Sequence, residues 1–213
     1  MGGTITAIEV QKRNTERVNI YLDGQFAFAM EMIAASHLRK GQVLSVEEVE
    51  KLRGEDNVAK AYDRAIRYLA SRPRSAQEVR RKLQTADFNP EVIEAVIDRL
   101  EDMNYLDDLA FAQMWVRDRS QFNPRGPMAL RAELRTKGIT DTTIDVALTD
   151  LDVIPLAMAA AEQKSRSLRA ADQHSFRRKL SSYLARRGFD FETISTVVDS
   201  LIESMDIEDS NEE

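Results

Sequence analysis

Cysteine is absent from the 213-residue sequence. This absence excludes disulfides, thiolate zinc sites and cysteine nucleophiles, and it suits a reducing compartment. No stretch approaches the roughly 18 apolar residues needed to span a bilayer. The opening Met-Gly-Gly-Thr-Ile-Thr lacks the basic and apolar regions of a signal peptide. We therefore expect a cytoplasmic protein with no membrane partner.

Glycine and histidine are also scarce, with 8 and 2 residues respectively. The glycines form neither a phosphate-binding loop nor a dinucleotide fingerprint. His37 and His174 each lack a second ligand at metal-binding spacing. Adjacent carboxylates such as Asp107 and Asp108 stand near predicted helix starts, where capping explains them better than acid–base chemistry does. We predict no cofactor, no metal and no catalytic residues, and hence a binding protein rather than an enzyme.

The net charge of −6 is concentrated at one end of the chain. Residues 203–213 contain six acids and no base, whereas residues 58–202 contain 23 lysines and arginines against 21 acids. An acidic whole chain therefore does not exclude a nucleic-acid partner. The acidic tail over 204–213 either solubilises the chain end or competes with DNA for a basic surface.

Residues 4–30 alternate in polarity as β-strands do. We predict an antiparallel sheet with strands at 4–11, 17–22 and 25–30. Asp23-Gly24 lies between the last two, and these residue types favour a type I′ turn. Ser45 followed by Glu48 is a capping box, so a helix should begin there.

Six apolar positions recur at shifts of 51 and then 50 residues. Such a repeat predicts stacked copies of one helical unit. The fold class is mainly α: three tandem three-helix repeats in an elongated curved array, preceded by a small antiparallel β-sheet and a helix. The recurring sets are Val79, Leu130 and Leu180; Leu83, Leu134 and Leu184; Phe88, Ile139 and Phe189; Ile93, Ile144 and Ile194; Ile97, Leu148 and Val198; Leu100, Leu151 and Leu201.

Residues that begin and end helices recur with the apolar ones. Asn89, Thr140 and Asp190 are equivalent, and all three are good helix N-caps. Two residues earlier, position 87 is aspartate, where the later repeats have glycines suited to a left-handed helix end. We place first helices near 57–71, 107–121 and 155–169. The predicted domains are 1–44 (sheet), 45–105 (capping-box helix and first repeat), 106–154 (second repeat), 155–203 (third repeat) and 204–213 (tail).

Basic residues cluster on the middle helices and on the turns before them. Arginine greatly outnumbers lysine there, which suits bidentate contact with phosphate or carboxylate. The alternative is a solvated face with local ion pairs, and no interleaved aromatics suggest base stacking. The third repeat contributes Lys164, Arg166, Arg169, Arg177, Arg178, Lys179, Arg186 and Arg187.

Several motifs resemble those of the RecX family, the regulatory proteins of bacterial RecA recombinase. They are the stretch 68–83, Tyr-Leu-Ala-Ser-Arg-Pro-Arg-Ser-Ala-Gln-Glu-Val-Arg-Arg-Lys-Leu, then 104–112, Trp115-Val116 and 126–139. The resemblance covers about 58–203 and extends to the strand-rich leader. Asn104 stands where the family pattern has glycine, and asparagine tolerates the same left-handed turn.

This resemblance implies a protein that binds RecA, lies in the groove of its DNA filament and inhibits or modulates it, affecting recombination, DNA repair and the SOS response. RecA, its filament and the DNA backbone are the expected partners of a monomer. Core packing is the expected role of Phe88, Tyr105, Phe111 and Trp115. The residues expected to dock RecA or DNA are Arg72, Arg74, Arg80, Arg81, Arg117, Arg119, Arg125, Arg131 and Arg135.

Two other functions fit the same residues. An independent DNA-binding helical module would bind naked DNA tightly, with a steep dependence on salt. A protein-only scaffold would bind DNA weakly and leave recombinase turnover unchanged.

Overall fold

The computed structural model describes residues 1–168 and 172–211, with side chains as far as residue 204. It contains two compact units, 1–73 with 79–106, and 74–78 with the chain from 107 onward. Arg169 and the last two residues of the expected acidic tail lie outside the described residues. Within the described part, every helix is too short or too polar to cross a membrane.

The first unit begins with a four-stranded antiparallel sheet in the order β3-β2-β1-β4. The three predicted strands are confirmed as β1 (Gly3–Val10), β2 (Arg17–Leu22) and β3 (Gln25–Glu31). Asp23 and Gly24 have φ of 49° and 84°, as both central residues of a type I′ turn require. The additional strand β4 (Val43–Leu44) has two residues, too few to show alternation in the sequence.

Helix α1 (Val46–Leu69) connects the sheet to the first repeat without a break. The capping box is formed: the Ser45 side chain accepts from the Glu48 N–H at 3.1 Å, and the Glu48 carboxylate accepts from the Ser45 N–H at 2.7 Å. The helix expected at 57–71 is the second half of α1 rather than a separate element. The buried side chain of Asp56 links α1 to β2, since Arg17 Nη2 lies 2.7 Å from its carboxylate. Lys60 of the same helix also pairs with Asp56, with Nζ 2.6 Å from the carboxylate.

Eight further helices complete three helical repeats in the described residues. Their recurring apolar side chains face inward: Leu83, Leu134 and Leu184 are all fully buried. The bounds are α2 (Ala76–Gln84), α3 (Pro90–Asp102), α4 (Asp108–Phe122), α5 (Pro127–Thr136), α6 (Asp141–Leu148), α7 (Val153–Ser165), α8 (Gln173–Arg186) and α9 (Phe191–Asn211). The backbone of α9 therefore continues into the segment expected to be an acidic tail.

The third helix of each repeat is capped as predicted. The side chains of Asn89, Thr140 and Asp190 accept from the backbone N–H three residues later. The middle helices end in left-handed residues, with φ of 60° at Asp87, 81° at Gly138 and 87° at Gly188. Each repeat is thus bounded by the same local geometry.

Within the second unit, consecutive middle helices meet head to tail. At the start of α5, the N–H of Gly126 donates to the Arg187 carbonyl at 2.9 Å, and that of Met128 donates to the Gly188 carbonyl at 3.2 Å. Residues 75–78 meet the end of α5 at the equivalent place. There the Ser75 hydroxyl donates to the Lys137 carbonyl at 2.6 Å. The two junctions therefore use corresponding positions of successive repeats.

Candidate docking surface

The nine arginines expected to dock a partner lie either in turns or on helices. Arg72 and Arg74 lie in the turn between α1 and α2, and Arg125 lies in the turn before α5. The rest are on helices: Arg80 and Arg81 on α2, Arg117 and Arg119 on α4, and Arg131 and Arg135 on α5.

In the first repeat, Arg80 makes a bidentate ion pair with Glu94 of α3. Its Nε lies 2.9 and 3.0 Å from the two carboxylate oxygens, and its Nη2 lies 2.9 Å from one of them. The hydrogen bond from Arg80 lowers the pKa of the Glu94 carboxyl below its ordinary value. The guanidinium charge is therefore largely matched within the repeat.

The second repeat contains the equivalent pair, 51 residues further on. Arg131 Nη2 lies 2.6 Å from Asp145, and Arg135 Nε lies 2.7 Å from Asp141. The hydrogen bond from Arg135 also lowers the pKa of Asp141. Both arginines hold the middle helix against the third helix of their repeat.

Arg119 belongs to a cluster around Glu133. Its Nε and the indole N–H of Trp115 donate to one carboxylate oxygen at 2.7 and 2.8 Å, and Arg125 Nε lies 3.7 Å from the other oxygen. The Arg119 guanidinium also lies 4.3 Å from the centre of the Trp115 ring. These contacts give Arg119 a packing role between α4 and α5.

Arg117 is exposed and has no ion-pair partner among the side chains that the structure describes. It borders a groove between α4 and α6, beside Gln113, Gln121 and Asp150. Arg72 and Arg81 are exposed as well, and Arg74 is half-buried. A partner can therefore reach Arg72, Arg81 and Arg117 from solvent.

The prediction that Tyr105 packs in the core is wrong, because 58% of its surface is exposed. It follows Asn104, whose φ is 58°, and this left-handed turn places Leu106 inside instead, with 4% exposed. Phe111 is buried and Trp115 packs against the core of the second repeat, as predicted. Phe88 is half-buried.

Helix α8 carries exposed cations that are not among the nine arginines expected to dock a partner. Arg178, Lys179 and Arg186 are exposed. The signal in the sequence is that α8 contains no acid at all, whereas α2 contains Glu78 and α5 contains Glu133.

The described residues contain no group of three or more acids, histidines or cysteines able to hold a metal ion. The arrangement present is one of cations on helix faces, several of them matched by carboxylates of the same unit. It can bind anions.

Models of the RecX family match four successive stretches of the chain. They are the regulatory protein RecX N-terminal domain at 3–45 and the first, second and third RecX three-helix domains at 61–100, 107–148 and 154–198. The regulatory protein RecX of Bacillus subtilis is 36% identical over 98% of this chain and 81% of its own length. The one from Prosthecochloris aestuarii is 40% identical over 70% of this chain and 97% of its own.

Two solved structures agree with this result. A crystal structure of regulatory protein RecX has a TM-score of 0.76 at 30% identity, covering 93% of this chain and all of that one. The structure of RecX from Lactobacillus salivarius has a TM-score of 0.64 at 26% identity, covering 69% of this chain and 97% of that one. With its four domain matches in order along the chain, this protein belongs to the RecX family of regulatory proteins.

Proposed function

We propose that this protein regulates RecA by binding RecA and lying in the groove of the RecA–DNA filament. It thereby inhibits or modulates RecA in recombination, DNA repair and the SOS response. The observation that carries the proposal is the RecX-family domain series, found here as three helical repeats. Two consecutive junctions within the second unit use corresponding residues, so the same structural unit recurs along the chain. Recurring units suit a partner that is itself repetitive, as a filament of identical protomers is.

The nine arginines are the proposed docking residues, and five of them already lie against carboxylates. Arg80, Arg119, Arg125, Arg131 and Arg135 lie against carboxylates of their own unit. They must exchange those carboxylates for a partner's, so their net contribution to docking is small. Arg72, Arg81 and Arg117 are proposed as the main contacts because a partner can reach all three from solvent. Their role is electrostatic attraction and orientation rather than chemistry.

The first test is ATP hydrolysis by RecA on single-stranded DNA, titrated with this protein. We expect hydrolysis to fall at amounts well below one molecule per RecA protomer, because one bound molecule blocks growth or turnover of a whole stretch of filament. Unchanged hydrolysis, together with tight and salt-sensitive binding to naked DNA, would instead support the independent DNA-binding module.

The second test reverses charge at the three main contacts. The variant Arg72→Glu, Arg81→Glu, Arg117→Glu should require at least about tenfold more protein for the same suppression, because each reversal replaces attraction by repulsion. The matched control is Lys12→Glu, Arg13→Glu, Lys40→Glu, which makes the same change in net charge at exposed positions of the N-terminal part. Equal suppression by both folded variants would reject these arginines as the docking residues.

A further inference from the structure

Helix α8 differs from the other two middle helices in the balance of its charges. Between Gln173 and Arg186 it contains four arginines and lysines and no acid. Its apolar side chains Phe176, Leu180 and Leu184 are buried in the third-repeat core. Arg178, Lys179 and Arg186 are exposed and point away from this core.

Of the four cations of α8, Arg177 alone has an acid partner among the described side chains. Asp199 of α9 pairs with Arg177 and also accepts from the Ser195 hydroxyl at 3.1 Å. The two positions that form Arg80–Glu94 and Arg131–Asp145 in the earlier repeats are Ser181 and Ser195 here. The recurring ion pair is thus replaced by hydroxyls in the third repeat.

The outer cations Arg178, Lys179 and Arg186 have no acidic partner in the part of the chain whose side chains are described. Arg178, Ser182 and Arg186 follow one another at intervals of four residues, so they lie along one face over about 12 Å. All three are exposed. This face offers two guanidinium groups, an ammonium group at Lys179 and a hydroxyl, all of which are donors to phosphate oxygens.

We propose that this face of α8, defined by Arg178, Lys179, Ser182 and Arg186, binds the phosphate backbone of DNA. No aromatic side chain is among the exposed residues of α8, so bases have nothing on which to stack. Binding is therefore to the backbone and independent of base sequence. The proposal deepens the proposed function, since it rests on the filament as the target and assigns its DNA to the third repeat.

The neighbouring junction keeps the end of this face in place. The Arg187 guanidinium donates to the Asn123 side chain at 2.6 Å and to the Pro124 carbonyl at 2.9 Å, and it lies 4.9 Å from the centre of the Tyr183 ring. Arg187 is thus engaged within the protein and is left out of the proposed surface. Fixing the helix end lowers the entropy lost when Arg186 binds a phosphate.

The experiment measures binding of labelled single-stranded and duplex DNA to the full chain at several salt concentrations, without RecA. Arg178→Ala, Lys179→Ala, Arg186→Ala is compared with Lys12→Ala, Arg13→Ala, Lys40→Ala. The second variant removes the same charge at exposed positions that are not among the proposed docking residues. Circular dichroism establishes that both variants fold.

We expect the α8 variant to reduce the slope of log affinity against log salt by about two for single strands, near 0.7 for each phosphate that the protein no longer neutralises. Its affinity at low salt should fall at least about tenfold, and that of the control about twofold or less. Equal decreases in affinity for the two variants would overturn the proposal. So would unchanged DNA binding by an α8 variant that no longer binds RecA, since the face would then dock an acidic protein surface.

The outcomes separate this proposal from the one on which it rests. If the wild-type protein leaves RecA hydrolysis unchanged while the α8 variant alone has a weaker affinity for DNA, the RecA proposal fails and the assignment of α8 stands. If the wild-type protein suppresses hydrolysis and the two variants bind DNA equally, the assignment of α8 fails and the RecA proposal stands.

Discussion

Positions 87, 138 and 188 are equivalent in the three repeats and have the same left-handed backbone, yet the first is aspartate and the other two are glycine. The difference follows from what lies beside them. A Cβ at Gly188 would lie 2.3 Å from the Ala129 backbone nitrogen, and one at Gly138 would lie 2.3 Å from the Gln77 Cβ. Left-handed geometry alone therefore tolerates a side chain here, whereas close packing against a neighbouring repeat does not.

Among the substitutions that test this comparison, Gly188→Ala should lower the free energy of unfolding most. The added methyl group would overlap backbone, which cannot move aside as a flexible side chain can, and φ of 87° is strained for alanine. We expect a decrease of about 2–4 kcal/mol in the free energy of unfolding, as for severe overpacking with backbone strain. Urea unfolding measures it. A decrease below about 1 kcal/mol would show that the junction is looser than these distances imply.

Gly138→Ala should cost somewhat less, about 1–3 kcal/mol, because the atoms nearest the new methyl group are the Gln77 Cβ and Cγ rather than backbone atoms. A second substitution sharpens the test. Gln77→Gly removes the atoms that the new methyl group meets, so the double variant should be destabilised by less than the sum of the two single variants. Additive effects would place the cost in the backbone conformation of residue 138 alone.

The caps two residues further on give a smaller, pH-dependent difference. Asp190 is the one cap of the three that titrates, and hydrogen bonds from Thr193 lower its pKa. A lowered folded-state pKa means that its stabilisation is present above the unfolded value, about 3.9, and is lost as pH falls through the folded value. The advantage of the wild type over Asp190→Asn should therefore shrink on acidification. Unfolding curves at several pH values would contradict this if the difference stayed constant.

Asp87→Gly should have the smallest effect. Glycine relieves the left-handed strain at φ of 60° but adds freedom to the unfolded chain, and these contributions nearly cancel. We expect a change within about 0.5 kcal/mol in the same urea measurement. A large decrease in stability would mean that the Asp87 side chain has a structural role of its own.

Most of the fold was predictable because its signals are periodic. Apolar spacing identified the repeats, and cap residues identified where helices begin. The continuity of α1 was not predictable: Gly54 with the polar residues after it resembles a break, yet no neighbouring atom lies within 4 Å of its Cβ position. The helix therefore pays only the intrinsic penalty of one glycine.

The docking surface was predictable only in outline. The sequence located the arginines at the ends of first helices, in the turns after them and on the middle helices, but which carboxylate each one meets depends on how two helices cross. The spacing of 14 residues in both Arg80–Glu94 and Arg131–Asp145 could have indicated recurring pairs. No comparable spacing indicated that Tyr105 is exposed, because an aromatic side chain next to a turn can lie in the core or at the surface.

The unbroken course of α1 has a mechanical consequence. The helix has 24 residues, or about 36 Å of length. Arg53 in its first half donates to the Ala27 carbonyl of β3, and Tyr62 in its second half packs under Arg99 of α3. Asp56, bound to Arg17 and Lys60 near its middle, prevents β2 from sliding along it. We therefore expect the sheet and the first repeat to move together as one body.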